Sequence, residues 1–264
     1  MLSYKAPKLI DTKADFSPYV YLGELAGTFM FLTIAFLMAA TANDVAGNQG
    51  IVENAQVQSI SVAFGFGLAT AILAFGDLSG GHYNPAVALG FVLTGDISVT
   101  RFLLEVGVQL LAAIASAEAV SGWVAGPVNF ANGIDRDFMN VGRALTLEAF
   151  CTFLLIITVF VVVHKKVAPV TAAFVIGFSL FMGHMICVPN TGAGLNPART
   201  FGPCVAAREF PGYHWLYWVG PFVGSVFAAL LKPLALHVFD ESKTSTASNE
   251  IIEVSEDSEV EAKV

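Results

Sequence analysis

Ser79-Gly80-Gly81-His82-Tyr83-Asn84-Pro85-Ala86 is echoed by Gly192-Ala193-Gly194-Leu195-Asn196-Pro197-Ala198-Arg199, and the two Asn residues stand 112 positions apart. Each stretch begins with small residues, passes through Asn-Pro-Ala and runs into a mostly apolar segment of about ten residues. Ten helical residues rise ~15 Å, half of the ~30 Å hydrocarbon core of a bilayer. Asn is a favoured N-cap, and Pro suits the first helical position because it lacks an N–H that would be orphaned there. Each motif therefore predicts a short helix whose N-terminus points into the protein. Two interrupted segments in matching positions of two halves mark a transport site near the middle of a membrane.

The composition agrees with a membrane setting. Of the 264 residues, 55% are hydrophobic and 13% charged, with a mean hydropathy of +0.68; soluble domains carry about 25% charge. The net charge of −8 is concentrated at one end: residues 240–264 hold eight carboxylates against Lys243 and Lys263. The membrane body is close to neutral and has no basic stripe, which excludes nucleic acid as a partner. Cys151, Cys187 and Cys204 are odd in number, lie in or beside apolar segments and lack metal-ligand spacing, so buried free thiols are expected. No metal site, cofactor or catalytic constellation is expected. The polar first 18 residues and the long apolar run that follows do not suit a cleavable signal peptide.

Apolar runs predict six crossings near 19–41, 57–75, 102–123, 144–163, 168–188 and 215–236, with half-helices at 84–93 and 196–206. Six crossings put both termini on one side. Nine of the thirteen Lys and Arg residues fall on that side, including Lys5, Lys8, Lys13, Arg101, Lys165 and Lys166, so both termini are expected in the cytosol. Lys232, near the end of the last crossing, is expected to snorkel to the interface. The repeat extends beyond the motifs: Glu24-x-x-x-Thr28 in the first crossing is matched by Glu148-x-x-x-Thr152 in the fourth. Three crossings per half force the halves to insert with opposite orientation, so the half-helices enter from opposite faces and meet tip to tip. The expected fold class is an all-α polytopic membrane protein with six transmembrane helices plus two re-entrant half-helices in an inverted 3+3 repeat. A cytosolic tail occupies 1–18 and a channel domain 19–240, with repeat one at 19–123, a connecting loop at 124–142 and repeat two at 143–240. Residues 241–264 read as an acidic, disordered cytosolic tail, in which Ser255 and Ser258 stand in an acidic context suited to a kinase.

Each half-helix N-terminus carries roughly +0.5 elementary charge and unpaired N–H donors. Two of them facing each other repel cations. The amides of Asn84 and Asn196 are expected to donate into the pore and hold one water in a fixed orientation. That water donates outward on both sides, which breaks the chain of reorientable waters a proton needs. The backbone carbonyls of 80–82 and 192–194 are expected to form a polar ladder for the permeant.

With Asn84-Pro85-Ala86 and Asn196-Pro197-Ala198 repeated in equivalent positions, and Glu-x-x-x-Thr in each half, the chain resembles the aquaporin (major intrinsic protein) family over roughly residues 19–240. The resemblance implies an hourglass fold in the lipid bilayer, a homotetramer with one pore per subunit, and passive flow of water or small neutral solutes. The plasma membrane is the expected location, with a vacuolar or other internal membrane as the alternative. The resemblance also implies a constriction lined by Phe64, His184, Ala193 and Arg199, similar to the water-selective subgroup. Phe64, His184 and Arg199 are bulky enough to narrow the hole to about one water, and His184 and Arg199 offer replacement hydrogen bonds for those lost on dehydration. Glycerol-conducting relatives place a small residue where His184 stands and usually Asp after the Arg; this chain has Thr200 there. Tyr217 and Trp218 resemble the aromatic pair of water channels. Ala193 stands where many water channels carry a mercurial-sensitive Cys.

Glu24 and Glu148 have two readings. One is a proton relay, as in pumps. The other, which the resemblance implies, is support of the re-entrant loops, whose backbone N–H groups need acceptors inside the membrane. Gln109 is expected to serve the same loop as Glu24. His82 is expected to line the cytosolic vestibule or to bond within its own loop. Alternatives to a water channel are a channel that also passes glycerol, hydrogen peroxide or ammonia, a junctional member with weak conductance, and a secondary transporter; the last needs ionisable coupling residues, for which only the two glutamates qualify.

Overall fold

The computed structural model describes residues 8–10, 15–46, 54–135, 137 and 139–237. The acidic segment 241–264 lies outside the described residues. Among the described residues eight helices follow in chain order: α1 (Pro18–Ala46), α2 (Asn54–Ser79), α3 (Pro85–Leu93), α4 (Val99–Trp123), α5 (Val141–His164), α6 (Pro169–Thr191), α7 (Pro197–Ala207) and α8 (Leu216–His237). There is no strand among the described residues. Six of the helices are long and apolar enough to cross a bilayer, and α3 and α7 are the half-helices.

Several crossings outrun the apolar runs, most visibly α1, which is 29 residues long. At 1.5 Å per residue it reaches ~43 Å, the thickness of a bilayer with its headgroups. Thr41, Asn43 and Asp44 end the hydropathy signal but not the need for backbone hydrogen bonds.

Consecutive crossings alternate in direction. The starts of α1, α4 and α6 and the ends of α2, α5 and α8 share one face, called the N-terminal face below. Helix contacts respect an exchange of the two halves: α1 packs on α2 as α5 packs on α6, while α2 meets α6 and α3 meets α7 across the pseudo-two-fold axis. The α2–α6 crossing depends on Gly65 and Gly177. A Cβ on Gly177 would stand 2.4 Å from the Gly65 carbonyl oxygen, and one on Gly65 2.7 Å from that of Gly177. Close backbone approach through small residues replaces a hydrophobic driving force that lipid does not supply.

The N-terminal face is tied down by contacts with large sequence separation. Lys8 and Leu9 carbonyls accept the Val99 and Thr100 N–H groups at 3.0 and 3.1 Å, capping the start of α4. Ser98, the α4 N-cap, donates its hydroxyl to the buried Asp15 carboxylate at 2.5 Å. Near the end of α8, Lys232 forms an ion pair with the partly exposed Asp96 on this same face, donates to Thr94 Oγ1 at 3.1 Å and lies 4.5 Å from the Phe160 ring centroid.

Candidate functional site

Each re-entrant loop carries the same conformational signature. Counting back from the Asn, positions four, three and one have positive φ: Gly80 (96°), Gly81 (70°) and Tyr83 (48°) in one loop, Gly192 (71°), Ala193 (56°) and Leu195 (52°) in the other. Three of these six are not glycine, and such backbone costs of order 1–3 kcal/mol at each strained position. The loops persist because buried carboxylates hold them. Glu24 accepts the N–H groups of His82 (2.9 Å) and Tyr83 (2.8 Å). Glu148 accepts those of Gly194 (2.8 Å) and Leu195 (2.6 Å), the equivalent positions. Gln109 Nε2 donates to Glu24 at 2.7 Å, and the Thr191 hydroxyl donates to Glu148 at 2.6 Å. In every one of these contacts the glutamate is the acceptor, of backbone N–H groups from the loop and of side-chain donors on α4 and α6.

The loops end in Asn84 and Asn196, the N-caps of α3 and α7. Asn84 Oδ1 accepts from Ala86 N at 2.8 Å; Asn196 Oδ1 accepts from Ala198 N at 2.9 Å and Arg199 N at 3.3 Å. Their amide nitrogens reach across the axis. Asn84 Nδ2 donates to the Leu195 carbonyl and Asn196 Nδ2 to the Tyr83 carbonyl, both at 2.9 Å. The two amides are therefore not wholly free, as the motif alone suggests: each spends one N–H on the opposite loop and keeps one.

A cavity of about 60 Å³ runs along these tips, room for roughly four waters. Its wall includes Gly80, Gly81, His82, Asn84, Asn196, Phe64, His184 and Arg199, with Ile72 and Val163 toward the N-terminal face. A second cavity, about 130 Å³, lies toward the opposite face among Asn43, Gln56, Phe130, Val188 and Gly192. Arg199 is the one residue that lines both. There the Phe64 and His184 rings stack with centroids 4.0 Å apart, and the Arg199 guanidinium carbon lies 4.9 Å from the Phe64 centroid. Arg199 Nη1 donates to the Phe130 carbonyl (3.1 Å) and to Asn132 Oδ1 (2.7 Å); Nη2 donates to the Gly192 carbonyl (3.4 Å). His184 Nδ1 bonds the Leu180 carbonyl at 3.0 Å, which places the proton on Nδ1 and leaves Nε2 as an acceptor. His184 Nε2 and Arg199 Nε are buried and take no hydrogen-bond partner from the protein.

Ala193 is not drawn into the cavity walls. It is fully buried in the strained loop, with its N–H on Thr191 Oγ1 at 3.3 Å. Tyr217 also acts behind the pore, donating its hydroxyl to the Thr191 carbonyl at 2.7 Å. Sequence reasoning missed Thr191, Asn132 and Glu105. Thr191 was findable, since it stands five before Asn196 as Ser79 stands five before Asn84. Asn132 lies in the connecting loop without periodicity. Glu105, a buried carboxylate in α4 bonded to His82 and Arg101, was visible as a charge in an apolar run.

The three cysteines are free and buried, and none lines either cavity. Mercurials are therefore expected to leave the permeability of reconstituted protein unchanged within a factor of about two. Strong block in stopped-flow measurements that survives serine replacement of Cys187 and Cys204 together contradicts this placement.

Six crossings and two half-helices joined tip to tip, with a conduit through the junction, define a membrane channel of the inverted-repeat type. The chain belongs to the major intrinsic protein family, whose model matches residues 13–232. It is 42% identical to "Aquaporin-8" of Botryotinia fuckeliana over 79% of this chain and 66% of that protein. It is 41% identical to "Aquaporin-2" of Saccharomyces cerevisiae over 78% and 73% of the two chains. The chain thus spans about two thirds of the first of these relatives. The X-ray structure of the aquaglyceroporin from Plasmodium falciparum matches the fold with a TM-score of 0.70 at 22% identity, covering 81% of this chain and 95% of that one.

Proposed function

We propose that the chain is a water-selective channel that passes water in single file and excludes protons and ions. One observation carries the reading: two cavities opening toward opposite faces meet at a single residue, Arg199, beside the stacked Phe64 and His184 rings. In this reading Phe64, His184, Arg199 and the loop bearing Ala193 form the constriction. The unpartnered His184 Nε2 and Arg199 Nε serve the permeant there, one as acceptor and one as donor. Such a pair suits water, which donates and accepts at once, and a positive guanidinium in a narrow, low-dielectric passage repels cations. Past the filter, the remaining Asn84 and Asn196 amide protons orient one water at the junction of the half-helices. Glu24, Glu148 and Gln109 act as loop supports and His82 lines the inner vestibule. We further propose a channel domain at 19–240, a homotetramer, and both termini in the cytosol at the plasma membrane.

The test is stopped-flow light scattering on proteoliposomes under sorbitol and glycerol gradients. Water permeability is expected to exceed that of empty vesicles by about tenfold or more, with glycerol flux at background. Fast glycerol flux through the unmodified protein refutes the selectivity.

A further inference from the structure

The two halves of the conduit are not equivalent in charge, and the difference is complementary. Repeat two places Arg199 three residues after its Asn, where repeat one has Val87. Repeat one places His82 two residues before its Asn, where repeat two has Gly194. Both basic side chains line the same cavity, on opposite sides of the Asn pair. Arg199 is a permanent cation, whereas an imidazole needs a reason to be one.

Glu105 supplies it. Its Oε2 is 2.7 Å from His82 Nδ1, and its Oε1 accepts from Arg101 Nε at 2.6 Å. Glu105 is fully buried and His82 only 5% exposed. Glu24 adds a second buried carboxylate whose oxygens meet donors: His82 N, Tyr83 N, Gln109 Nε2 and the Ser79 hydroxyl. Two carboxylates against the single guanidinium of Arg101 leave the cluster one positive charge short. A protonated His82 closes that gap, and a buried cluster with unbalanced charge is costly. The other elements around His82 do not change the balance. Helix α3 offers the Phe91 ring, 4.6 Å from the imidazole. On α8, Lys232 is already paired with Asp96. Asp77 at the end of α2 is exposed, and on α1 Tyr21 donates to the backbone of Asp15, whose carboxylate takes Ser98.

We propose that Glu105 is a positioning residue that holds His82 as a cation at the N-terminal-face end of the conduit, making this end a second barrier to cations, independent of Arg199. Nδ1 is committed to Glu105, so His82 offers the cavity its Nε2, as an N–H donor while protonated. The proposal rests on the water-channel reading, and its test separates the two.

Full-length protein in liposomes is assayed for water flux and for potassium leak, at about pH 5.5 and about pH 8, which bracket ordinary imidazole titration. Arg199→Val alone is expected to remain nearly potassium-tight at both values, because His82 stays charged. Adding Glu105→Gln is expected to raise the leak about tenfold at the higher pH and less at the lower, where bulk protons and the remaining Glu24 carboxylate together favour a charged His82. His82→Gln in the Arg199→Val background is expected to leak at both. A tight His82→Gln double variant, or a Glu105→Gln double variant whose leak ignores pH, overturns the proposal; the first of these decides the matter even where the glutamine at 105 does not fold. Absence of water flux in the unmodified protein is a different failure, that of the channel reading itself.

Discussion

Glu148→Ala is expected to abolish water flux and to lower the thermal stability of the detergent-solubilised protein sharply. The substitution strands the N–H groups of Gly194 and Leu195, bonded to this carboxylate at 2.8 and 2.6 Å, and leaves the Thr191 hydroxyl only its longer bond to the Cys187 carbonyl at 3.3 Å. A buried donor left unmade costs about 1–3 kcal/mol, against a total of about 5–15 kcal/mol for a typical domain. The loss falls on a loop whose Ala193 and Leu195 already sit at positive φ without being glycine. Glu148→Gln separates support from relay. It keeps one acceptor oxygen and turns an NH2 toward a loop donor, so a partial loss of stability with a matching loss of flux is expected. A glutamine variant as stable as the parent yet silent in transport speaks for proton transfer through the carboxylate.

His184→Gly is expected to convert the filter rather than destroy it. The imidazole stacks on Phe64 at 4.0 Å and is buried at the point where the two cavities meet Arg199. Its removal leaves a gap beside the guanidinium with no backbone clash to close it, since the ring's protein bond is to Leu180 O within its own helix. Glycerol permeability is expected to rise by about tenfold or more while water permeability stays at or above that of the parent. Unchanged glycerol exclusion in a folded His184→Gly protein moves the constriction elsewhere.

Much of this was legible because the chain states it twice. Asn84 and Asn196, or Glu24 and Glu148, are each ambiguous alone, and symmetry removes the ambiguity. The contacts the repeat does not duplicate were the ones hidden. Lys232 finds Asp96 across 136 positions and Arg199 finds Asn132 across 67, so neither pairing leaves a local pattern. Residues at the helix ends were hidden for another reason: hydropathy falls in the headgroup region while the helix continues, as in α1. The second N–H of each Asn was a matter of geometry, since only the approach of the opposite loop decides whether a carbonyl lies within reach.

The crossed bonds from Asn84 to the Leu195 carbonyl and from Asn196 to the Tyr83 carbonyl bear on how the polypeptide is made. When the ribosome has delivered the first three crossings, the early loop has no counterpart to clasp. Neither bond can form until residues beyond 190 have been made. The junction between the tips, and the bore that runs through it, therefore requires both halves and cannot be completed by the first alone.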